Sequence, residues 1–300
     1  MIVNQQALRG IYTSFKTIYA KAFDEAKPSW ERIATKVASE AGEESYKWLG
    51  QIPRMREWIG ERQIQNLSAY DYTIKNKDFE LTVAVNRNDI ADDRIGIYAP
   101  MVQNIGRSAA TFPDDLVYGL LKDGFTNKCF DGKPFFADNH VVGKDKVKIT
   151  ASNKGTAKLT AESYAAARAA MMSLTDDSGK SLKLVPDLLV VPPSLEAKAR
   201  EILIADQVNG TTNIYKGTAE PFVVPDLAGA DEAWYLLCTS MSLKPLIYQE
   251  REAPKFQSFD KPDDENVFMR KQYIYGADAR ANAGYGFWQM AYGSDGSASA

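Results

Sequence analysis

The sequence predicts an α+β fold. Three features of its hydrophobic pattern carry that reading. An amphipathic helical stripe runs from Gln6 to about Lys27, two-residue alternation takes over between Tyr70 and Val85, and from about Phe125 to Pro254 short apolar strands interleave with capped helices.

In the first stripe Leu8, Ile11, Tyr12, Phe15, Ile18, Tyr19 and Phe23 recur at steps of three and four. One face of this N-terminal helix therefore needs cover, from the body of the fold or from a neighbouring subunit. Tyr46 to Gly60 places Trp48 and Trp58 among glycines and a proline, a packed irregular stretch rather than a linker. Next, Tyr70-Asp71-Tyr72-Thr73-Ile74 alternates, as do Phe79, Leu81, Val83 and Val85, on either side of the polar stretch Lys75-Asn76-Lys77-Asp78. Two alternating runs around a short polar turn predict a β-hairpin. A lone hairpin is marginal in water, so one that projects needs a partner surface.

Asp89, Asp92 and Asp93 precede a long helical pattern with Ile95, Tyr98, Val102, Ile105 and Ala109. Acidic groups there answer the free N–H groups of a helix start. A second helix is expected from Pro113, with Asp114 and Asp115 in its first turn, Leu116, Leu120 and Leu121 on its apolar face, and Gly124 as its stop. Beyond the loops at Asp131 to Pro134 and Asn153 to Thr156, Thr160 caps a helix running past Met171. Asp187 to Val191 is a buried strand ended by Pro192-Pro193, and Ser194 caps a helix from Leu195 to about Ala205. Phe222 to Val224, Trp234 to Cys238 and Leu246 to Tyr248 complete the short strands. The charged stretch Asp260 to Asn266 leads to a C-terminal region in which Phe268 to Tyr275 alternates as a strand and Gly284 to Tyr292 forms a further strand or strand-turn.

Composition excludes several classes. The chain has 45% hydrophobic and 25% charged residues, the balance of a soluble globular protein, and its net charge of −3 is not that of a dedicated nucleic-acid binder. Weak contact between one local surface and DNA stays compatible with this charge. Cys129 and Cys238 are too few for a disulfide framework and fit a reducing compartment. The start carries no secretory signature, and no apolar run approaches the roughly 20 residues that span a bilayer.

His140 is the only histidine, so most hydrolytic mechanisms would have to pass through it. It stands close in sequence to Cys129 and Asp138, a thiol, carboxylate and imidazole that could form a nucleophile with its base and orienting group. Such partners usually meet through the fold rather than through sequence proximity, and the expectation is a loop histidine in an ordinary hydrogen bond. Structural zinc wants four ligands at paired spacings, which two distant cysteines and one histidine do not supply. Asp89, Asp92 and Asp93 lack the glycine and terminal glutamate of a calcium loop. No phosphate loop is present, and the glycines between Asn282 and Phe287 miss dinucleotide-loop spacing. The expectation is a protein that is not an enzyme and has no catalytic, cofactor or metal residues.

Several ordered motifs do stand out. They are Trp48-Leu49-Gly50-Gln51, Arg56 to Arg62, Asn76 to Glu80, Val85 to Ile90 with Asp92-Asp93, Gly119 to Phe125, Asp131 to Phe136 with His140, and Pro186 to Pro193. Through them nearly the whole chain resembles the major head (major capsid) subunit of Mu-like phages and prophages, the T gene product family. The resemblance implies the Hong Kong 97-type phage capsid fold. Residues 1–45 would be the N-terminal arm, 46–92 an extended β-hairpin loop reaching over an adjacent subunit, and 93–124 with 255–293 a peripheral domain with a long spine helix. Residues 125–254 would be the axial α/β domain, and 294–300 a disordered tail.

The implied function is a self-assembling shell of hexameric and pentameric capsomers, an icosahedral head around packaged double-stranded DNA. Assembly contacts are expected from Leu8, Tyr12 and Phe15 on the arm and from Tyr70, Tyr72, Ile74, Phe79, Leu81 and Val83 on the hairpin. The arm starts almost at Met1, so a scaffolding protein and maturation protease are expected to be separate proteins, as is a portal protein. Non-specific contact with DNA, no membrane, assembly in the host cytoplasm and residence in the virion complete the expectation. The alternatives are an encapsulin-like compartment subunit and, in another class, a cysteine hydrolase using Cys129 and His140.

Overall fold

The computed structural model describes residues 5–49, 72–92, 94–142, 149–176, 179–208, 210–261 and 263–298. Tyr70, Asp93 and the motif Arg56 to Arg62 lie outside them. Helix α1 (Gln5–Glu25) follows the predicted stripe, with Leu8, Ile11, Phe15, Tyr19 and Ala22 buried. Strands β1 (Ala34–Ala38) and β2 (Glu43–Ser45) come next, then β3 (Thr73–Lys75), β4 (Lys77–Asn86) and the short helix α2 (Arg87–Ala91). Asn86 caps α2, its side-chain oxygen accepting the N–H of Asn88, while Asp89 lies inside the helix and accepts the Tyr98 hydroxyl. Asp89, expected at the start of the long helix that follows, thus lies inside α2, and the N-cap residue of that long helix is Tyr98, whose side chain makes no capping bond.

Helix α3 (Ala99–Asp123) is one continuous helix rather than two, with Gly124 at its C-cap. Pro113 sits inside it and is buried, although proline there removes a helical hydrogen bond and is normally a start or a break. The helix continues because its two halves serve two cores. Val102, Ile105 and Ala109 join a smaller cluster with α1, and Val117, Tyr118 and Leu121 join the main one. Asp114 is not an N-terminal residue of a new helix. Its carboxylate accepts the N–H groups of Ser29 and Trp30, 2.9 and 2.7 Å away, and so caps the turn Trp30–Arg32.

The mixed unit then adds β5 (His140–Val142), β6 (Ile149–Ala151), β7 (Lys154–Gly155), helix α4 (Ala161–Met172), β8 (Leu188–Val191) and α5 (Glu196–Leu203). Thr160 and Ser163 form the capping box of α4. Ser194 does not cap α5, because a 3-10 turn over Pro193–Leu195 intervenes and the Ser194 hydroxyl donates to the Asp231 carbonyl. Strands β9 (Gln207–Val208), β10 (Thr211–Thr212), β11 (Glu220–Val223) and β12 (Trp234–Leu237) follow. The long strands β13 (Leu246–Phe259) and β14 (Gln272–Tyr285) flank helix α6 (Glu265–Arg270), and β15 (Ala291–Ser294) ends the series.

Two sheets organise the molecule. A four-stranded sheet has the order β1-β13-β14-β4, with β1 parallel to β13 and the other pairs antiparallel. A five-stranded sheet has the order β11-β8-β12-β15-β7, and its centre, β8 and β12, is buried at every position. Among the described residues no helix is long and apolar enough to cross a membrane.

The pairing corrects three expectations. The predicted hairpin does not form, since β3 pairs with β2 and β4 pairs with β14 along ten residues. Asn76, read as a turn residue, is buried between β3 and β4. The domain boundaries also move. The four-stranded sheet takes β1 from the expected arm and β4 from the expected loop, and β13 enters it from residue 246. At the C-terminus, Ser294 is fully buried and β15 pairs with β12 and β7, so residues 291–294 complete the five-stranded sheet rather than a peripheral domain or tail. Ala298 still donates a backbone hydrogen bond to Thr156.

Candidate functional site

The residues expected to make assembly contacts are mostly spent inside the chain. Leu8 and Phe15 are buried in the smaller core, where Phe15 meets Tyr275 edge-on with ring centres 5.0 Å apart. Tyr12 is half-buried and stacks on Phe256 at 5.9 Å. Ile74 is buried, and half-buried Tyr72 accepts the N–H of Tyr285 on its hydroxyl at 2.9 Å. Phe79 packs on Phe112 at 5.4 Å, and Val83 lies on the smaller core. Of the nine expected residues, Leu81 is the one described position that is exposed, at 38%, and Tyr70 lies outside the described residues.

The exposed large apolar residues lie elsewhere. Phe259, Phe268 and Met269 surround the connection between β13 and β14, with Phe268 84% exposed. Ile204 and Ile214 flank the β9–β10 pair, and Ile97 lies before α3. The alternation from Phe268 to Tyr275 predicts a strand. The six-residue helix α6 instead leaves Phe268 and Met269 outside while Asn266 and Val267 turn in. The charged run Asp260 to Asn266 was the available signal, because alternation read across a helix start has no single meaning.

Cys129 and His140 do come together, with Asp131 rather than Asp138 as the third member. Asp131 stands in the loop motif Asp131 to Phe136, and the fold brings it back against both residues. Asp138 is exposed. The Cys129 thiol donates to Asp131 Oδ1 at 3.2 Å, and His140 Nδ1 lies 2.5 Å from Asp131 Oδ2. The second ring nitrogen of His140 lies 3.2 Å from Asn153 Oδ1, and its ring stacks on Trp288 with centres 4.0 Å apart. His140 is fully buried at the start of β5, not placed on a loop surface.

Asn153 is the hub of this centre, although its sequence context is only that of a polar loop. Its amide nitrogen donates to the carbonyls of Phe135, Trp288 and Ala291 at 2.8, 3.2 and 3.1 Å, and its Oδ1 also accepts the N–H of Ala137 at 2.9 Å. Three carbonyls on one side and an N–H on the other fix the amide orientation.

This geometry does not make a nucleophile. Burial, reinforced by the Asp131 charge, pushes the Cys129 thiol well up, so the sulfur keeps its proton at neutral pH. Neither imidazole nitrogen is bonded to the thiol; they face Asp131 and Asn153. The ligand atoms of Cys129, Asp131 and His140 lie within 4.8 Å of one another, but each is engaged in the hydrogen-bonded chain. The centre ties β5 and the loop before it to the turn at Trp288.

Burial alone would raise the Asp131 carboxyl. The hydrogen bond and charge of His140, the N–H of Lys133 and the Cys129 thiol outweigh it and hold the group below the usual carboxylate range. A lowered folded-state value stabilises the fold above the ordinary carboxylate pKa of about 3.9 and ceases to do so as pH falls through that lower value. Asp131→Asn is therefore expected to lower stability by about 2 kcal/mol at neutral pH. The gap from the parent should shrink as the pH falls through the carboxylate range. Denaturant unfolding between about pH 5 and about pH 2 measures it, and a gap that widens over that interval would contradict this assignment.

The profile of the family described as Mu-like prophage major head subunit gpT matches residues 8–158, 151–227 and 224–299. The chain is 34% identical over 291 residues to the major capsid protein of Escherichia phage Mu, covering 97% of this chain and 74% of that protein. It is 32% identical to the Mu-like prophage FluMu major head subunit of Haemophilus influenzae, over 97% of this chain and 73% of that one. Among solved structures it is similar to a chain of the procapsid of bacteriophage JBD30, with TM-score 0.64 and 35% identity over 97% of this chain and 76% of the other.

Proposed function

This chain belongs to the family of Mu-like prophage major head subunits, and from that premise we propose how it builds a shell. It is a structural major capsid protein with the α+β Hong Kong 97-type fold, and it is not an enzyme. Copies of it assemble into hexameric and pentameric capsomers and these into an icosahedral head around double-stranded DNA. The observation that carries this reading is the 34% identity to the phage Mu major capsid protein along 97% of the chain. Many weak repeated contacts between copies then sum to a stable lattice. The encapsulin-like alternative has no comparable support.

In this reading the four-stranded sheet with α1 and α3 forms the peripheral unit, and the five-stranded sheet with α4 and α5 forms the axial unit. The chain between β2 and β3 is the extended loop that reaches an adjacent subunit. Its described ends are Tyr46 to Leu49 and Tyr72, and residues 50–71 lie outside the described part. A scaffolding protein, a maturation protease and a portal protein encoded by other head genes act on the same subunit, which assembles in the host cytoplasm and ends in the virion. What supports these partners is the membership of a phage head family.

Electron microscopy of the purified chain, alone and co-expressed with neighbouring head genes, tests the proposal. Rings, tubes or closed shells are expected. Persistent monomers under every condition would overturn it.

A further inference from the structure

We propose that a buried polar network centred on Gln249 is a positioning device. It fixes the orientation of the β2–β3 pair on the four-stranded sheet, and so the direction in which the intervening chain leaves the subunit. This rests on the reading above that the chain between β2 and β3 contacts an adjacent subunit.

The network is continuous. Gln249, fully buried in β13, accepts the Tyr46 hydroxyl on Oε1 at 2.8 Å. Its amide nitrogen donates to the Ile74 carbonyl at 3.1 Å and to Asn76 Oδ1 at 2.7 Å. Asn76 Nδ2 donates in turn to Ser39 Oγ at 2.9 Å and to the Ala41 carbonyl at 2.8 Å. The Ser39 hydroxyl donates to Glu44 Oε1 at 2.9 Å, and the same oxygen accepts the N–H groups of Glu40 and Ala41. One glutamine thus binds the chain just after β2, the strand β3 and, through Asn76, the turn that enters β2. Tyr46, Asn76 and Ser39 are all buried.

The pair it holds is small. Strands β2 and β3 have three residues each, extended by the bonds of Tyr46 N–H to the Tyr72 carbonyl and of Asn76 N–H to the Gly42 carbonyl. Two strands of that length do not hold themselves in water. Ile74 seats them against Gly284, where a Cβ would stand 2.4 Å from its Cδ1, and an apolar seat of this kind supplies adhesion. Adhesion does not set an angle. Hydrogen bonds with fixed donors and acceptors do, because every rotation of the pair leaves a buried polar group unsatisfied. An error in the angle of the pair is repeated at every copy of the shell.

The test compares Gln249→Leu with Met171→Ala, a core truncation on α4 remote from the network, under denaturant conditions that equalise their stability. The expected result is folded Gln249→Leu subunits whose yield of closed shells, counted by electron microscopy, falls by about tenfold, with open sheets or tubes in their place. Met171→Ala should close shells normally. Amides of residues 43–46 and 73–76 should exchange faster in Gln249→Leu alone. Equal shell yields from the two variants would overturn the proposal.

If Gln249→Leu gives no soluble protein, Tyr46→Phe carries the test by deleting one hydroxyl. An unchanged shell yield there would count against the network. A third variant replaces residues 50–71 with a short Gly-Ser bridge. Normal shells from it would overturn the reading that this chain contacts a neighbour. Lost shells there, with normal shells from Gln249→Leu, would overturn the positioning role alone.

Discussion

Asn153→Leu is expected to destabilise the protein by roughly 4 kcal/mol, near the upper end for a single substitution. Leucine keeps the branching of asparagine and leaves no void, so the effect is polar rather than a cavity. Five groups lose their side-chain partner at once: the carbonyls of Phe135, Trp288 and Ala291, the N–H of Ala137, and a ring nitrogen of His140. A buried group left unsatisfied costs about 1–3 kcal/mol, and relaxation recovers part of that total. The affected segments are the loop before β5 and the turn that leads into β15, so the five-stranded sheet loses its clamp on the C-terminus. Denaturant unfolding should show a markedly lower midpoint with an unchanged slope. A shift under about 1 kcal/mol would mean that the hub is not central.

Gly106→Leu should detach α1 from α3 at a cost of about 3 kcal/mol. Gly106 faces the Tyr19 carbonyl, and even a Cβ there would lie 2.5 Å from that oxygen. The obstacle is backbone, so a rotamer change cannot relieve it, and the helix must move. That movement unseats Phe15 from Tyr275 and Tyr19 from Phe256, the ring contacts that close the smaller core. Hydrogen exchange should accelerate along α1, while the centre of the five-stranded sheet stays protected. Gly106→Ala should act in the same direction with a smaller effect. Unchanged protection of α1 in both variants would refute the contact. The exposed stripe of a detached α1 would also favour non-specific association over ordered shells.

The stripe of α1 was legible because seven apolar residues share one face, and nothing but a covered helix uses that pattern. The capping box at Thr160, the stop at Gly124 and the fully apolar strand β8 were legible for the same local reason. What covers the stripe was not legible, since an apolar face on α3 and one on another subunit leave the same mark on α1.

Partner choice defeated the local rules elsewhere. Alternation before and after Asn76 correctly signals strands, but not that they join different pairs. Asparagine is a turn residue because its side chain satisfies nearby backbone, and here it does so inside the protein, with Ser39, Ala41 and Gln249. Pro113 likewise reads as a helix start by local rules, and packing on two cores carries α3 through it. Asp131 rather than Asp138 joins His140 because the chain folds back on itself, which a linear offset does not encode.

By itself the sequence determined the α+β class, most helices and strands, the poverty of catalytic groups and, through its ordered motifs, the likeness to Mu-like head subunits. Those properties are written in neighbouring residues or in residue identity. Only the tertiary structure decided which apolar residues are buried within the chain and which stay exposed, and that Asn153 and Gln249 are buried hubs. Burial and hydrogen-bond partnership depend on residues that can lie far away in the chain, such as Gln249 and Tyr46, and no local pattern records them.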